Sequence, residues 1–185
     1  ASFACHLILQ ALYRDTGNFD TWEKFDRAFV KDRNVLLVGG GNIGSQVDAL
    51  LSPMLNVETF DIAQSPLSAL ASYLKRAEVV SLHIPGGSDN EAFVNASFLE
   101  HMRDGATLVN TSRGSLIDEA ALIKNLVKGR LYAHLDVFSS EPYHGPLKSE
   151  VGKYLSVTPH VASSSRAFHQ GLVADLERFA AELSA

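Results

Sequence analysis

Cys5 is the only cysteine in the 185-residue chain. Neither a disulfide framework nor a cysteine-built metal site is open to it, and a reducing compartment, the cytoplasm, is the expected setting. Long apolar runs are missing too, since no stretch nears the roughly 18 residues that a membrane span requires. Lys and Arg number 16 against 21 Asp and Glu, a formal net charge of −5, and they form no run. That balance speaks against nucleic acid or an anionic membrane as partner. The histidines show no H-E-x-x-H or similar pairing, so no metal site is expected. G-x-S-x-G is also absent, which leaves Ser112 without the setting of a hydrolase nucleophile. Repeats and low-complexity segments are lacking. The opening Ala1-Ser2-Phe3 is neither an initiator methionine nor a charged signal region, so the chain is expected to begin inside a longer protein.

What is present is a core of one domain: 46% of residues are hydrophobic, enough for a single full interior. Residues 2–14 read as a helix with an apolar stripe, and 16–33 as a polar connector carrying Trp22. From Asn34 onward strands and helices alternate. Strands are expected at 34–38, 56–60, 78–82, 106–110, 131–136 and 154–157, rich in Val, Leu and Ile without clean alternation, as in strands buried on both faces. Helices fit at 43–52, 66–75, 96–103, 118–128 and 164–183, the fourth capped by Asp118 and ended by Gly129. The fold expected is α/β, a doubly wound (Rossmann) parallel sheet with helices on both faces. The division expected is a leading helix and connector over 1–33 and one α/β domain over 34–185.

Within that frame Val35–Val38 followed by Gly39-Gly40-Gly41-Asn42-Ile43-Gly44 is the most informative stretch. A buried strand runs into G-x-G-x-x-G and the start of a helix. Gly39 permits the tight turn, Gly41 lets backbone approach a pyrophosphate, and Gly44 lets the helix pack on the sheet. The helix N-terminus, at Asn42 and Ile43, offers N–H groups and positive potential to the phosphates. Asp61, 20 residues after Gly41, closes the next strand where a carboxylate can accept from ribose hydroxyls. No Arg follows in 62–66 to receive a 2′-phosphate, which points to NAD(H) rather than NADP(H).

Further motifs lie just after other strands, where ligands of such sheets bind. They are Ser81-Leu82-His83-Ile84-Pro85, Asn110-Thr111-Ser112-Arg113-Gly114, Leu135-Asp136-Val137-Phe138-Ser139-Ser140-Glu141-Pro142, and Thr158-Pro159-His160-Val161-Ala162. In this order, with the glycine turn, they resemble the D-isomer-specific 2-hydroxyacid dehydrogenases, over residues 34–170 and within that family's NAD-binding domain. The family's substrate domain has no counterpart in these residues. The resemblance implies hydride transfer between NAD(H) and a small D-2-hydroxy acid or 2-keto acid. Arg113 would grip the substrate carboxylate with its planar fork. His160 would give or take the proton, and Glu141 would orient its imidazole and favour the charged form. Asp136 would meet the nicotinamide side, and Thr111 and Pro85 would complete the cofactor cradle. His83 is expected to serve the fold with its backbone near the cofactor. His6, His101, His144 and His169 read as surface or packing residues. His134 shares the strand face of Asp136, where the family commonly has small residues, and either perturbs the site or fills space.

Two departures from the family stand out. Only 17 residues separate Asp61 from Val79, so one α/β unit is compressed, opening the adenine side. After Pro85 the chain has Gly86-Gly87-Ser88-Asp89-Asn90 where threonines are common. A homodimer is expected through 1–33, because Phe3, Leu7, Leu9, Leu12 and Trp22 supply more apolar surface than one small domain covers. Two rivals remain: an NAD(H)-dependent corepressor module of the C-terminal-binding-protein type, faintly suggested by Cys5-His6 and Leu12-Tyr13-Arg14, and an NAD-dependent sensor with degenerate chemistry.

Overall fold

Runs of Val and Leu flanked by turn residues make strands, and here six of them lie side by side. The computed structural model describes residues 1–14, 28–150 and 154–164. Its strands are β1 (Asn34–Val38), β2 (Asn56–Phe60), β3 (Val79–Leu82), β4 (Thr107–Asn110), β5 (Tyr132–Leu135) and β6 (Leu155–Val157). They form one sheet in the order β2-β1-β3-β4-β5-β6 with every pairing parallel. The lack of alternation has its cause in the layers. Leu36 and Val38 enter the core on one face, while Val35 and Leu37 enter the core on the other.

Among the described residues five α-helices cover the two faces: α1 (Ser2–Leu12), α2 (Asn42–Leu51), α3 (Leu70–Arg76), α4 (Ala96–His101) and α5 (Glu119–Val127). α1 and α2 lie on one side of the sheet, and α3, α4 and α5 bury their apolar residues on the other. Asp118 caps α5 by accepting from the Ala121 N–H at 3.0 Å, and Gly129, at φ 64°, takes the left-handed turn that ends it. The compressed unit is confirmed. Between β2 and β3 stand only a 3₁₀ turn (Leu67–Ala69) and α3, so the helix expected over 66–75 is split and β2 is an edge strand. The order reverses between β1 and β3, and the crevice for a ligand therefore opens at their carboxyl ends.

The apolar stripe of α1 is used inside the molecule. Ala4, Cys5, Leu7, Ile8, Ala11 and Leu12 are buried against α2, β1, β3 and β4, so Leu7 and Leu12 are not the uncovered surface expected of them. Arg14 pins the end of this helix. It donates to Thr107 Oγ1 at 3.2 Å and to the Gly105 carbonyl at 3.1 Å, and its guanidinium lies 3.8 Å over the Tyr132 ring. His134 is buried on the same side of the sheet and Nδ1 has no partner there. Burial depresses its pKa, with the charges of Arg14 and His6 adding to the effect. Of the two readings left open for it, filling space is the one this setting fits. Trp22, His169 and the helix expected over 164–183 lie outside the described residues.

Candidate active site

The glycine turn is built as its spacing implies, but the three glycines answer to different neighbours. Gly39 sits at φ 106°, and a Cβ there would come within 2.7 Å of the His83 carbonyl oxygen. At Gly44 a Cβ would lie 2.0 Å from the Gly39 carbonyl oxygen, so the first turn of α2 seats against the loop only because that atom is missing. Gly41 differs: nothing lies within 4 Å of a Cβ placed there, and its φ of −67° is open to any residue. The protein's own packing gives no reason for a glycine at this position. An approaching pyrophosphate does, and in this respect the residues fit a dinucleotide. α2 begins at Asn42 with no side-chain cap, leaving its first-turn N–H groups directed at the same space.

Asp61 stands beside this turn. Its Oδ2 accepts from the Gly40 N–H at 2.7 Å and its Oδ1 from the Ala63 N–H at 2.9 Å. These two bonds, Gly40 first, hold its pKa below the ordinary carboxylate range. The carboxylate is thus ionised, oriented, and left with lone pairs for two ribose hydroxyls. The next residue, Ile62, is an exposed apolar side chain beside it.

Asn110, buried at the end of β4, shapes the loop that presents Arg113. Its Nδ2 donates to the Arg113 carbonyl at 2.8 Å, and its Oδ1 accepts from the Ser112 N–H at 3.0 Å. Ser112 Oγ ties the loop to the Leu82 carbonyl at 2.8 Å, which gives this serine a structural task. Arg113 itself is exposed, with Nη1 resting on the Ser112 carbonyl at 2.7 Å. The stem of Arg113 packs so close to Gly86 that a Cβ there would meet its Cγ at 2.9 Å. The Gly86–Asn90 loop is closed by Asn90 Nδ2 donating to the Pro85 carbonyl at 3.0 Å. Thr111 is half-buried at the mouth between these loops. Gly114 brings the Arg113 loop onto the loop that follows β5. A Cβ at Gly114 would fall 1.8 Å from the Phe138 carbonyl carbon, so no side chain is possible there.

On that second loop stands Glu141. Its Oε2 meets His160 Nδ1 at 2.7 Å and its Oε1 accepts from the Phe138 N–H at 3.0 Å. The His160 bond is the first cause of a lowered Glu141 pKa, the Phe138 N–H the second, and the Arg113 charge adds a smaller pull. With Nδ1 held by a carboxylate, the ring's Nε2 is the nitrogen left for a substrate.

His160 occupies φ 53°, a backbone region that non-glycine residues seldom enter. Asp136 holds it there. The Asp136 carbonyl accepts from the His160 N–H at 2.8 Å. The buried carboxylate accepts from Thr158 Oγ1 at 2.5 Å, from the Val161 N–H at 2.9 Å and from the Ala162 N–H at 2.9 Å. Three of the four acceptor positions of Asp136 are spent on this turn, and what it visibly does is set the backbone of His160. Asn110, Gly114 and this use of Asp136 are functional features missed in the sequence; the first two sit inside the N-T-S-R-G motif, which was the available signal.

His83, at the end of β3, is buried with neither ring nitrogen bonded. Burial, aided by the N-terminal charge, pushes its pKa down to about 4. Its carbonyl lies against Gly39, as the expected fold role requires.

An all-parallel doubly wound sheet, a glycine turn at its switch point and a carboxylate at the end of β2 define a dinucleotide-binding domain. The chain belongs to the D-isomer specific 2-hydroxyacid dehydrogenase family, whose NAD binding domain matches residues 8–162. It is 31% identical over 157 residues to the hydroxypyruvate reductase of Thermotoga maritima, covering 77% of this chain and 51% of that relative. The D-isomer specific 2-hydroxyacid dehydrogenase from Xanthobacter autotrophicus, solved with NADPH and MES, superposes at a TM-score of 0.76 with 26% identity over 98% of this chain and 84% of that one. The enzyme of the same description from Lactobacillus delbrueckii, in its NAD-complexed form, gives 0.74 and 26% over 98% and 65%. The chain spans about half the length of the first curated relatives it matches.

Proposed function

We propose that the chain is the nucleotide-binding part of an oxidoreductase that interconverts a small D-2-hydroxy acid and its 2-keto acid with NAD(H), in a reducing, cytoplasmic setting and as a homodimer. The observation that carries this reading is the 2.7 Å His160–Glu141 pair, on the same edge of the sheet as the glycine turn and the Arg113 loop. A sensor with degenerate chemistry has no need of that pair, so the enzyme reading is favoured over it; a partner-motif pull-down with and without NADH separates it from the corepressor reading. Of the dimer surface, Phe3 and Leu9 remain partly buried on α1 and available to a second copy. The relatives differ in cofactor, and the choice here falls to Asp61: an ionised carboxylate with no cation in 62–66 repels a 2′-phosphate and bonds free hydroxyls, favouring NAD(H) by ~1–3 kcal/mol.

When bound, the nicotinamide supplies or takes the hydride. The chain does the rest. Gly41 and the start of α2 hold the pyrophosphate, and Asp61 reads the ribose. Arg113 takes the substrate carboxylate in its fork and draws electron density from the neighbouring carbonyl. His160 delivers a proton from Nε2 to the carbonyl oxygen in reduction and removes it in oxidation, while Glu141 balances the charge of the imidazolium.

Gly41→Ala tests the cradle. Since no atom of the protein meets that Cβ, unfolding free energy should change by no more than ~1 kcal/mol, the scale of a helix-cap change. NADH affinity, followed by fluorescence, should fall at least tenfold. Gly44→Ala serves as the contrast, losing stability through the clash with Gly39. Unaltered NADH binding in a folded Gly41→Ala protein would remove the cradle from this turn.

A further inference from the structure

A hollow of about 590 Å³ opens directly beside the acid–base pair. Glu141 and His160 stand on its wall, and most of the remaining lining is apolar: Phe138, Pro142, Tyr143, Leu147, Val157 and Pro159, with Thr158, whose hydroxyl already donates to Asp136, and the exposed Lys148. The Phe138 and Tyr143 rings lie 4.6 Å apart at 33° and reinforce one another. The polar tip of Tyr143 is already engaged, donating to Glu119 Oε2 at 2.8 Å and accepting from the Leu147 N–H at 3.1 Å. What it offers a ligand is therefore its ring.

From this we infer that the hollow seats the side chain of the 2-keto acid, and that this chain selects branched or aromatic keto acids over three-carbon ones. The inference rests on the oxidoreductase reading above. His160 lines the hollow, so a carbonyl held at its ring would have this space at hand for its own substituent. The volume lies within the range of small-molecule pockets. A methyl or hydroxymethyl group would leave most of the apolar wall without partner atoms, forfeiting dispersion contacts and leaving water against carbon. A hydroxylated side chain would meet only Lys148 at the exposed rim and a Thr158 hydroxyl already committed to Asp136. An isobutyl or phenylethyl group would cover the walls.

The test measures binding of pyruvate, 4-methyl-2-oxopentanoate and 2-oxo-4-phenylbutanoate to the NADH-saturated protein by calorimetry or ligand-observed NMR. The two larger acids should bind at least tenfold more tightly than pyruvate. Val157, on the exposed side of the hollow, allows it to be filled without disturbing the core: Val157→Phe should bring the ratio toward one, and Val157→Ala should not. Equal affinity for all three acids, no measurable binding of the larger two with NADH bound, or an unchanged ratio in Val157→Phe would overturn the side-chain seat alone. Failure of NADH to bind at all would strike the oxidoreductase reading itself, so the two failures are told apart.

Discussion

Single residues here do their work through what they are denied as much as through what they contact. Gly44 is denied a Cβ by the Gly39 carbonyl, and Gly114 by the backbone of Phe138. The His83 ring is denied any hydrogen-bond partner, with a consequence for stability. Its pKa is depressed from 6.5 to about 4 in the folded chain, so between those values the unfolded chain binds a proton that the folded chain refuses. Stability must then rise with pH across this window: it is intact above 6.5, erodes as pH falls, and the loss is complete near 4. Its limit is about 3 kcal/mol, from ~1.36 kcal/mol per pH unit. Denaturant midpoints measured from pH 7 to pH 4 should show this slope, and His83→Leu should flatten it. An equal slope in the variant would assign the acid sensitivity to other groups. Glu141 acts in the same direction at lower pH: its depressed pKa keeps the pair with His160 present above the ordinary Glu range and loses it as pH falls through the folded value.

At the level of elements, the sequence disclosed more of the scaffold than of the joints between its parts. Every strand and the described helices fall within a few residues of their expected spans, because runs such as Val35–Val38 and Val79–Leu82 admit no other burial. The shortened unit after Asp61 was legible from chain length alone. Arg113, Glu141 and His160 were legible as motifs, and two of them now stand in contact. The use of Asp136 was not. An aspartate at a strand end has equal chemical reason to face a cofactor or a neighbouring backbone, and only the path of 158–162 decides between them. The uncovered stripe expected on α1 failed for a related cause, since amphipathicity names a face to bury without naming its partner. The turn after β6 offers a direct check. Asp136→Ala strands the Thr158 hydroxyl and the Val161 and Ala162 N–H groups, and should cost about 2–4 kcal/mol. His160→Ala removes an exposed ring and should cost far less, although both variants should lose proton transfer. Comparable stability losses in urea titrations would mean that the buried carboxylate does not anchor this turn.

For the molecule as a whole, nucleotide binding and turnover make different demands. The glycine turn, the N-terminus of α2, Asp61 and the Arg113 loop all belong to one sheet edge whose strands are buried and mutually paired, so the NADH site proposed above is largely preformed. Chemistry asks in addition that water be excluded and that the keto acid be held against His160 and Arg113 at once. Both of those side chains are exposed at this edge, where screening and competing water weaken them. Half the length of the relatives lies outside these 185 residues, and a lobe closing over this edge is the natural source of the missing enclosure. Oriented reactants are worth up to ~7–11 kcal/mol of barrier, many powers of ten in rate. The 185-residue chain is therefore expected to bind NADH in the micromolar-to-millimolar range and to oxidise it only in trace amounts with any 2-keto acid. Supplying the rest of such an enzyme in cis should restore turnover without tightening NADH by more than a modest factor. Ordinary steady-state turnover by the 185 residues alone would show that the enclosure is built within the chain or between two copies of it, and that the sheet edge is already a complete active site.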